Sequence, residues 1–532
     1  MQYFIGSILM LLLFAPSAFS EWKIETQKIV GQAAYYADAP CPKEQTCSPK
    51  YSQGFGSRII HAKDRYIVAS YHEWPGAGAE MKIKIFGEIN LFDSCTLANI
   101  LTTPLRNAEQ SKIRKSDDDK EKIIKASKGY GAGQIAWIGD INKDKVEDYA
   151  VGVPYILFPE IHIMVSKPDG TYARKKTIVS PQGTQKYPEK FSEEVVKDVT
   201  MNSDFFGKSL LYVQNKSTRK LIVSAPSLED GIAYIYDMKT WTGEEETKPS
   251  DVKMKDENGK RVYNGNGYEI YRVFDLDGDG LEDFVSTPSF KDQKGFDTNE
   301  VSALLNFYSS NDAKKIITIN SKTRNYGGVS SFEILDDLDE NGVEEIAIGF
   351  QHGVGDDDGK VKWHAGRVVI LNGEEFLKRA SEKGKKKIIS LDDDTIVMER
   401  FFGDQMTLLM GAQIKRMWDI NDDGIDEFVI SQTGYNFDLP DSSTTENSLD
   451  IEERVGRVIV YDGSTMQKSN DVTFDIVGDR ERSMFGSQIG VDRINHTMLI
   501  SAPQYSEGSI DNSHQSNQGA VYFYRWVREL NN

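Results

Sequence analysis

The chain has 532 residues, is 39% hydrophobic and 27% charged, and carries a formal net charge of −19 at pH 7. That acidity argues against nucleic acid or an anionic membrane surface as a partner. The length would serve several ordinary domains, but an internal repeat overrides that expectation.

Residues 1–20 read as a secretory signal peptide, with an apolar core from Phe4 to Phe14 and a small-residue cleavage site at Ala18-Phe-Ser20. The run is short for a membrane span, and no later stretch is apolar enough to cross a bilayer. The expectation is a secreted protein, extracellular or periplasmic, without membrane insertion, whose mature part (21–532) is one repeat domain. Its cysteines are Cys41, Cys47 and Cys95. In an oxidising compartment Cys41 and Cys47 could close a small loop, or Cys95 could pair with either; the pairing stays open.

A unit of roughly 60 to 85 residues then recurs. It reads Phe-Gly, an apolar strand, a turn, a second apolar strand ending near Ala-Pro, and an alternating strand introduced by Gly. The first unit opens at Gly54-Phe-Gly56 and runs through Tyr66–Ser70 to Lys82–Phe86. The second opens at Tyr130-Gly131, the third at Phe206-Gly207, and the fourth near Asn264–Gly267. The fifth opens at Tyr326-Gly-Gly328, the sixth at Met410-Gly-Ala412 and the seventh at Phe485-Gly486. A fourth strand is predicted at Lys122–Lys125, Lys176–Val179, Lys315–Ile319, Lys387–Ser390 and Val472–Val477. Seven four-stranded units predict an all-β fold, a seven-bladed β-propeller. The seventh unit lacks a fourth strand, and Lys23–Val30 is predicted to supply it and close the ring.

Four units carry an acidic turn. Asp140, Asn142, Asp144 and Asp148 stand at positions 1, 3, 5 and 9 of the second unit's turn. The fourth unit has Asp275, Asp277, Asp279 and Asp283 there. The fifth has Asp337, Asp339, Asn341 and Glu345, and the sixth Asp419, Asn421, Asp423 and Glu427. Position 7 (Val146, Leu281, Val343, Ile425) can offer a backbone carbonyl while its side chain packs inward. Carboxylates at alternate positions of a tight turn repel unless a hard cation joins them, which points to up to four structural Ca²⁺ ions. The strand-like flanks exclude an EF-hand, whose flanks are helices. Two departures stand out. Lys145 replaces the turn glycine of the second unit, and Glu replaces Asp at positions 345 and 427. Four calcium ions would offset about eight of the negative charges.

The Phe-Gly openings, the Asp-x-Asp-Gly-Asp-Gly-x-x-Asp turn and the Ala-Pro endings resemble FG-GAP repeats, which build the seven-bladed propeller of integrin alpha subunits. The resemblance implies calcium between the first and second strands of a blade on a lower face. It implies ligand binding by loops of the opposite, upper face: Ser70–Gly78, Gly349–His364, Gln432–Val455, Pro503–Gly519 and the Cys41–Cys47 segment. Nothing resembles the integrin leg domains, the inserted ligand-binding domain or the membrane anchor.

No nucleophile elbow, phosphate-cradling loop or zinc signature is found, and no histidine has a metal-binding partner at suitable spacing. Tyr71-His-Glu-Trp74 suits protein or glycan recognition, or packs on its neighbours. The acidic stretches Asp117–Asp119 and Asp356–Asp358 read as solvated loops, the second of which could also hold a weaker cation. The functional expectation is a non-enzymatic, secreted adhesion or ligand-binding module for a protein or glycan. The alternative is an extracellular hydrolase or lyase acting on a polysaccharide or other polymer through upper-face carboxylates.

Overall fold

The computed structural model describes residues 22–30, 56–62, 65–70, 88–93, 99–104, 134–154, 159–167, 172–180, 205–226, 232–238, 250–253, 269–287, 302–321, 326, 328–354, 362–382, 387–436, 454–467, 475–480, 483–505 and 519–528. The signal-peptide stretch, the three cysteines, Tyr71–Trp74, Asp117–Asp119, Asp356–Asp358, the openings at Tyr130 and Asn264, and the predicted strands Lys82–Phe86 and Lys122–Lys125 lie outside these residues.

The fold is all-β, with strands in a β-propeller arrangement of seven sheets, one per unit, antiparallel but for one added strand. Six have four strands and one has five. The second unit is typical: Ile135–Gly139, Asp148–Val153, Glu160–Ser166 and Tyr172–Val179 lie side by side in chain order. First strands of successive units touch: Arg58–Ala62 meets Ile135–Gly139, which meets Leu210–Gln214, and so on to Met410–Arg416 and Ile489–Asp492. Ile489–Asp492 in turn touches Arg58–Ala62.

Trp22–Val30 pairs antiparallel with Ala520–Arg528 over nine residues, from Trp22 opposite Arg528 to Val30 opposite Ala520. The seventh sheet therefore takes its outer strand from the start of the chain. Trp22 Nε1 donates to the Ile420 carbonyl (2.8 Å) and its ring meets His496 edge-on at 5.4 Å. Lys28 Nζ donates to Asp479 Oδ2 and the Tyr505 hydroxyl, each at 2.9 Å.

Second strands are buried on both faces between neighbouring sheets, as in Asp148–Val153, Ile346–Phe350 and Thr497–Ala502. That is why they read as unbroken apolar runs rather than alternating ones. The core lies in the clefts between sheets. Phe307 of the fourth unit packs on Phe332 (6.1 Å between ring centroids) and Phe376 (5.1 Å) of the fifth. Glycine sets how closely units approach. A Cβ on Gly152 would lie 1.9 Å from the carbonyl oxygen of Gly207, the opening glycine of the next unit, which has φ of +83°. The same contact recurs between Gly349 and Gly411.

The outer strands required corrections. In the first unit the third and fourth strands are Glu88–Asp93 and Asn99–Pro104, later and earlier respectively than expected. In the fifth unit Lys387–Ser390 is not the fourth strand. Val397–Phe402 fills that place, while Ile388–Ser390 pairs parallel with Lys315–Ser321 and adds a fifth strand to the preceding sheet. A helix unforeseen from the repeat, Gly373–Ser381, fills the intervening segment and buries Phe376 and Ala380. The third unit's outer strand is Ser250–Lys253.

Candidate metal centre

Each acidic turn joins the first strand of a unit to its second. The four turns share one hydrogen-bond pattern. The position-5 amide donates to the position-1 carboxylate: Asp144 to Asp140 at 3.0 Å, Asp279 to Asp275 at 3.2 Å, Asn341 to Asp337 at 2.9 Å and Asp423 to Asp419 at 3.2 Å. The position-6 amide reaches the other oxygen of the same carboxylate at 2.6–2.9 Å. The position-7 amide donates to the position-5 side chain at 2.8–2.9 Å. The backbone thereby folds the side chains of positions 1, 3 and 5 inward, and position 7 follows, with Leu281 and Ile425 buried and Val146 and Val343 half-buried.

Positions 4 and 6 take left-handed backbone in all four turns. At position 6, Gly280, Gly342 and Gly424 have φ of +81°, +91° and +96°, and Lys145 has +76°. Lys145 thus adopts the glycine conformation at a steric cost rather than changing the turn.

Position 9 is the buried floor. Asp148, Asp283 and Glu345 are 0% exposed and Glu427 is 1% exposed. Each accepts from the position-2 amide, that of Ile141 (2.9 Å), Leu276 (2.8 Å), Leu338 or Ile420 (2.6 Å). Burial pushes the Asp283 carboxyl up to about 7, with Asp277 and Asp275 adding to the effect. Burial, with Asp339 and Asp337 beside it, pushes Glu345 to about 8. Glu427 reaches about 8 through burial and the nearby Asp419 and Asp423, and burial raises Asp148. The extra methylene of the two glutamates leaves Oε1 of Glu345 and of Glu427 buried and without a hydrogen-bond partner among the described residues.

Asp275, Asp277 and Asp283 bring carboxylate oxygens within 4.8 Å of one another, as do Asp337, Asp339 and Glu345. These two groups could hold a metal ion. A cation placed among them would relieve the mutual repulsion and satisfy the orphaned oxygen, so the residues fit such an ion. In the other two turns position 3 is an amide, Asn142 or Asn421, and the acidic set is smaller.

Neighbouring units clamp the turns. Arg416 contacts Asp336, just before the fifth unit's turn, Glu344 within it and Asp426 of its own turn, and Arg493 of the seventh unit also pairs with Asp426. Arg528 pairs with Asp422, and Asn215 Nδ2 donates to the Gly280 carbonyl at 3.0 Å.

Sequence reasoning missed the residues that end the third strands. Ser166 donates through its amide (2.8 Å) and hydroxyl (3.0 Å) to Asp148, and the Ser310 amide donates to Asp283 at 3.0 Å. Asn372 and Asp462 reach position 3 of their turns. The one available signal was an Asx-Gly pair directly after an apolar strand, at Asn372-Gly373 and Asp462-Gly463.

At the other end of the sheets, only parts of the expected upper-face segments are described. There His352 and His364 meet edge-on at 5.3 Å, and Trp363 is 57% exposed. Arg457 lies over the Tyr435 ring at 4.0 Å. No family model matches this chain, and no curated protein is found to be similar to it.

Proposed function

We propose that this is a secreted, calcium-braced module of the FG-GAP kind that binds a protein or glycan. The seven sheets act as the blades of one ring, with Trp22–Val30 completing the last blade. Up to four Ca²⁺ ions occupy the turns at Asp140, Asp275, Asp337 and Asp419, and their role is structural. The observation that carries this reading is the fourfold recurrence of one hydrogen-bonded acidic turn above a buried position-9 carboxylate. An isolated acidic turn has no reason to bury its last carboxylate, and a cation supplies one. The ions would stiffen long hairpins that neighbouring arginines already grip. Recognition would then belong to the opposite end, where Trp363 stands exposed beside His364. Screening the calcium-loaded full chain on glycan and extracellular-protein arrays, beside a panel of polymer substrates, tests the reading. Calcium-dependent binding with no turnover supports it, and polymer cleavage without binding refutes it.

A further inference from the structure

The fifth and sixth units solve the same problem with their residues exchanged. In the fifth unit position 3 is an acid and the third strand ends in an amide: Asn372 Nδ2 donates to Asp339 Oδ2 at 2.7 Å. In the sixth, position 3 is the amide and the strand end is the acid: Asn421 Nδ2 donates to Asp462 Oδ2 at 3.0 Å. The two strand-end residues are equivalent by structure. Each is followed by a glycine packed on position 8 of its turn. A Cβ on Gly373 would sit 2.0 Å from the Glu344 carbonyl oxygen, and one on Gly463 would sit 2.4 Å from that of Asp426. The missing side chain brings the strand end close enough for Asn372 or Asp462 to touch position 3.

We propose that Asp462 is a positioning residue of the sixth unit's metal site, returning the charge that Asn421 lacks and aiming its amide oxygen at the ion, as Asn372 orients Asp339 in the fifth. This rests on the metal reading above. Beyond the mere clustering of acids, Oε1 of Glu427, a residue 1% exposed, has no hydrogen-bond partner among the described residues and calls for a cation there. The Asn421 nitrogen is held twice, by Asp462 and by Asp423 Oδ2 at 3.1 Å, and its Oδ1 accepts from the Asp423 amide at 3.0 Å, which leaves Oδ1 as the atom Asn421 offers to the ion. Asp462 Oδ1 is separately engaged by the Thr465 amide (2.7 Å) and the Ser464 and Thr465 hydroxyls (both 2.9 Å). An asparagine at 462 would keep those three bonds through its own Oδ1. Its NH₂ would then face the NH₂ of Asn421, so the contact that positions Asn421 would be lost together with one negative charge beside the ion.

The experiment compares full-length wild type, Asp462→Asn, and the exchange Asn421→Asp/Asp462→Asn, which copies the fifth unit. Calcium is counted by native mass spectrometry and titrated calorimetrically, and melting is followed with and without the ion. Asp462→Asn is expected to weaken one site on the order of 10- to 100-fold, as losses of outer partners do, so one fewer ion is held at limiting calcium. The exchange is expected to restore it, and Asp462→Asn is expected to add nothing in an Asp419→Ala background. Unchanged affinity in Asp462→Asn, or an exchange no better than that single variant, overturns the proposal. So does a melting temperature lowered equally with and without calcium at unchanged affinity, which would make Asp462 a turn cap only. Wild type that takes up no calcium overturns the metal reading itself, and is told apart because no substitution is involved.

Discussion

Calcium should reverse the pH dependence of stability. Without metal, burial pushes the Asp283 carboxyl up to about 7 and those of Glu345 and Glu427 up to about 8. Unfolded carboxyls titrate near about 4. Between those limits the folded chain holds protons that the unfolded chain has released, so metal-free stability falls as pH rises from about 4 to about 8. Holding one proton across that range is nominally worth ~4 kcal/mol. Positions 3 to 6 of each turn stand largely in water, which screens the repulsion, so we take about 1–2 kcal/mol per site. With calcium the sign inverts, because the ion requires ionised carboxylates and a falling pH lets protons displace it. Denaturant melts at several values between about pH 5 and about pH 8, in chelated and calcium-saturated buffer, should therefore give slopes of opposite sign. Glu345→Gln and Glu427→Gln mimic the protonated floor. At the upper end of the range each should stabilise the metal-free chain by about 1–2 kcal/mol while blunting its response to calcium. Parallel slopes in the two buffers, or glutamine variants less stable than wild type without metal, would refute this account of the buried floor.

Asp277→Ala should remove one bound calcium and leave the others, and an unchanged ion count in mass spectrometry would contradict the fourth unit's site. Lys145→Gly should stabilise the chain by about 1 kcal/mol by relieving a left-handed lysine. It should also raise calcium affinity at the second site, as calorimetry would report. Removing residues 22–30 strips nine paired positions from Ala520–Arg528 and bares an apolar edge. The melting temperature should fall sharply and aggregation rise, as light scattering would detect; an unchanged melt would rule out a closing role. Lys28→Ala, which loses Asp479, Tyr505 and a cation–π contact at 4.4 Å, should cost about 1 kcal/mol by denaturant melts.

Much of this was legible in the sequence where the governing interactions are local. An acidic turn nine residues long makes its own hydrogen bonds, so its spacing and the flanking strands announced all four turns between first and second strands. Second strands were legible because burial on both faces writes an unbroken apolar run. The pairing of Trp22–Val30 with the last unit was legible by elimination, since one repeat lacked its fourth strand. Outer strands were the weak point. Lys387–Ser390 carries a strand pattern as good as that of Lys315–Ile319, yet its partner is the neighbouring sheet, because the helix at Gly373–Ser381 takes up the chain that would have led it home.

The sequence by itself thus determined the repeat, the acidic turns and the buried strands, since these depend on residues within a few positions of one another. Tertiary structure alone decided which sheet an outer strand joins, that position 9 is a buried floor with orphaned oxygens in the fifth and sixth units, and that Asn372 and Asp462 face position 3 of their turns. Those outcomes depend on residues tens of positions apart, and in the last of them a glycine after the strand end lets the two backbones touch. No local pattern encodes that distance.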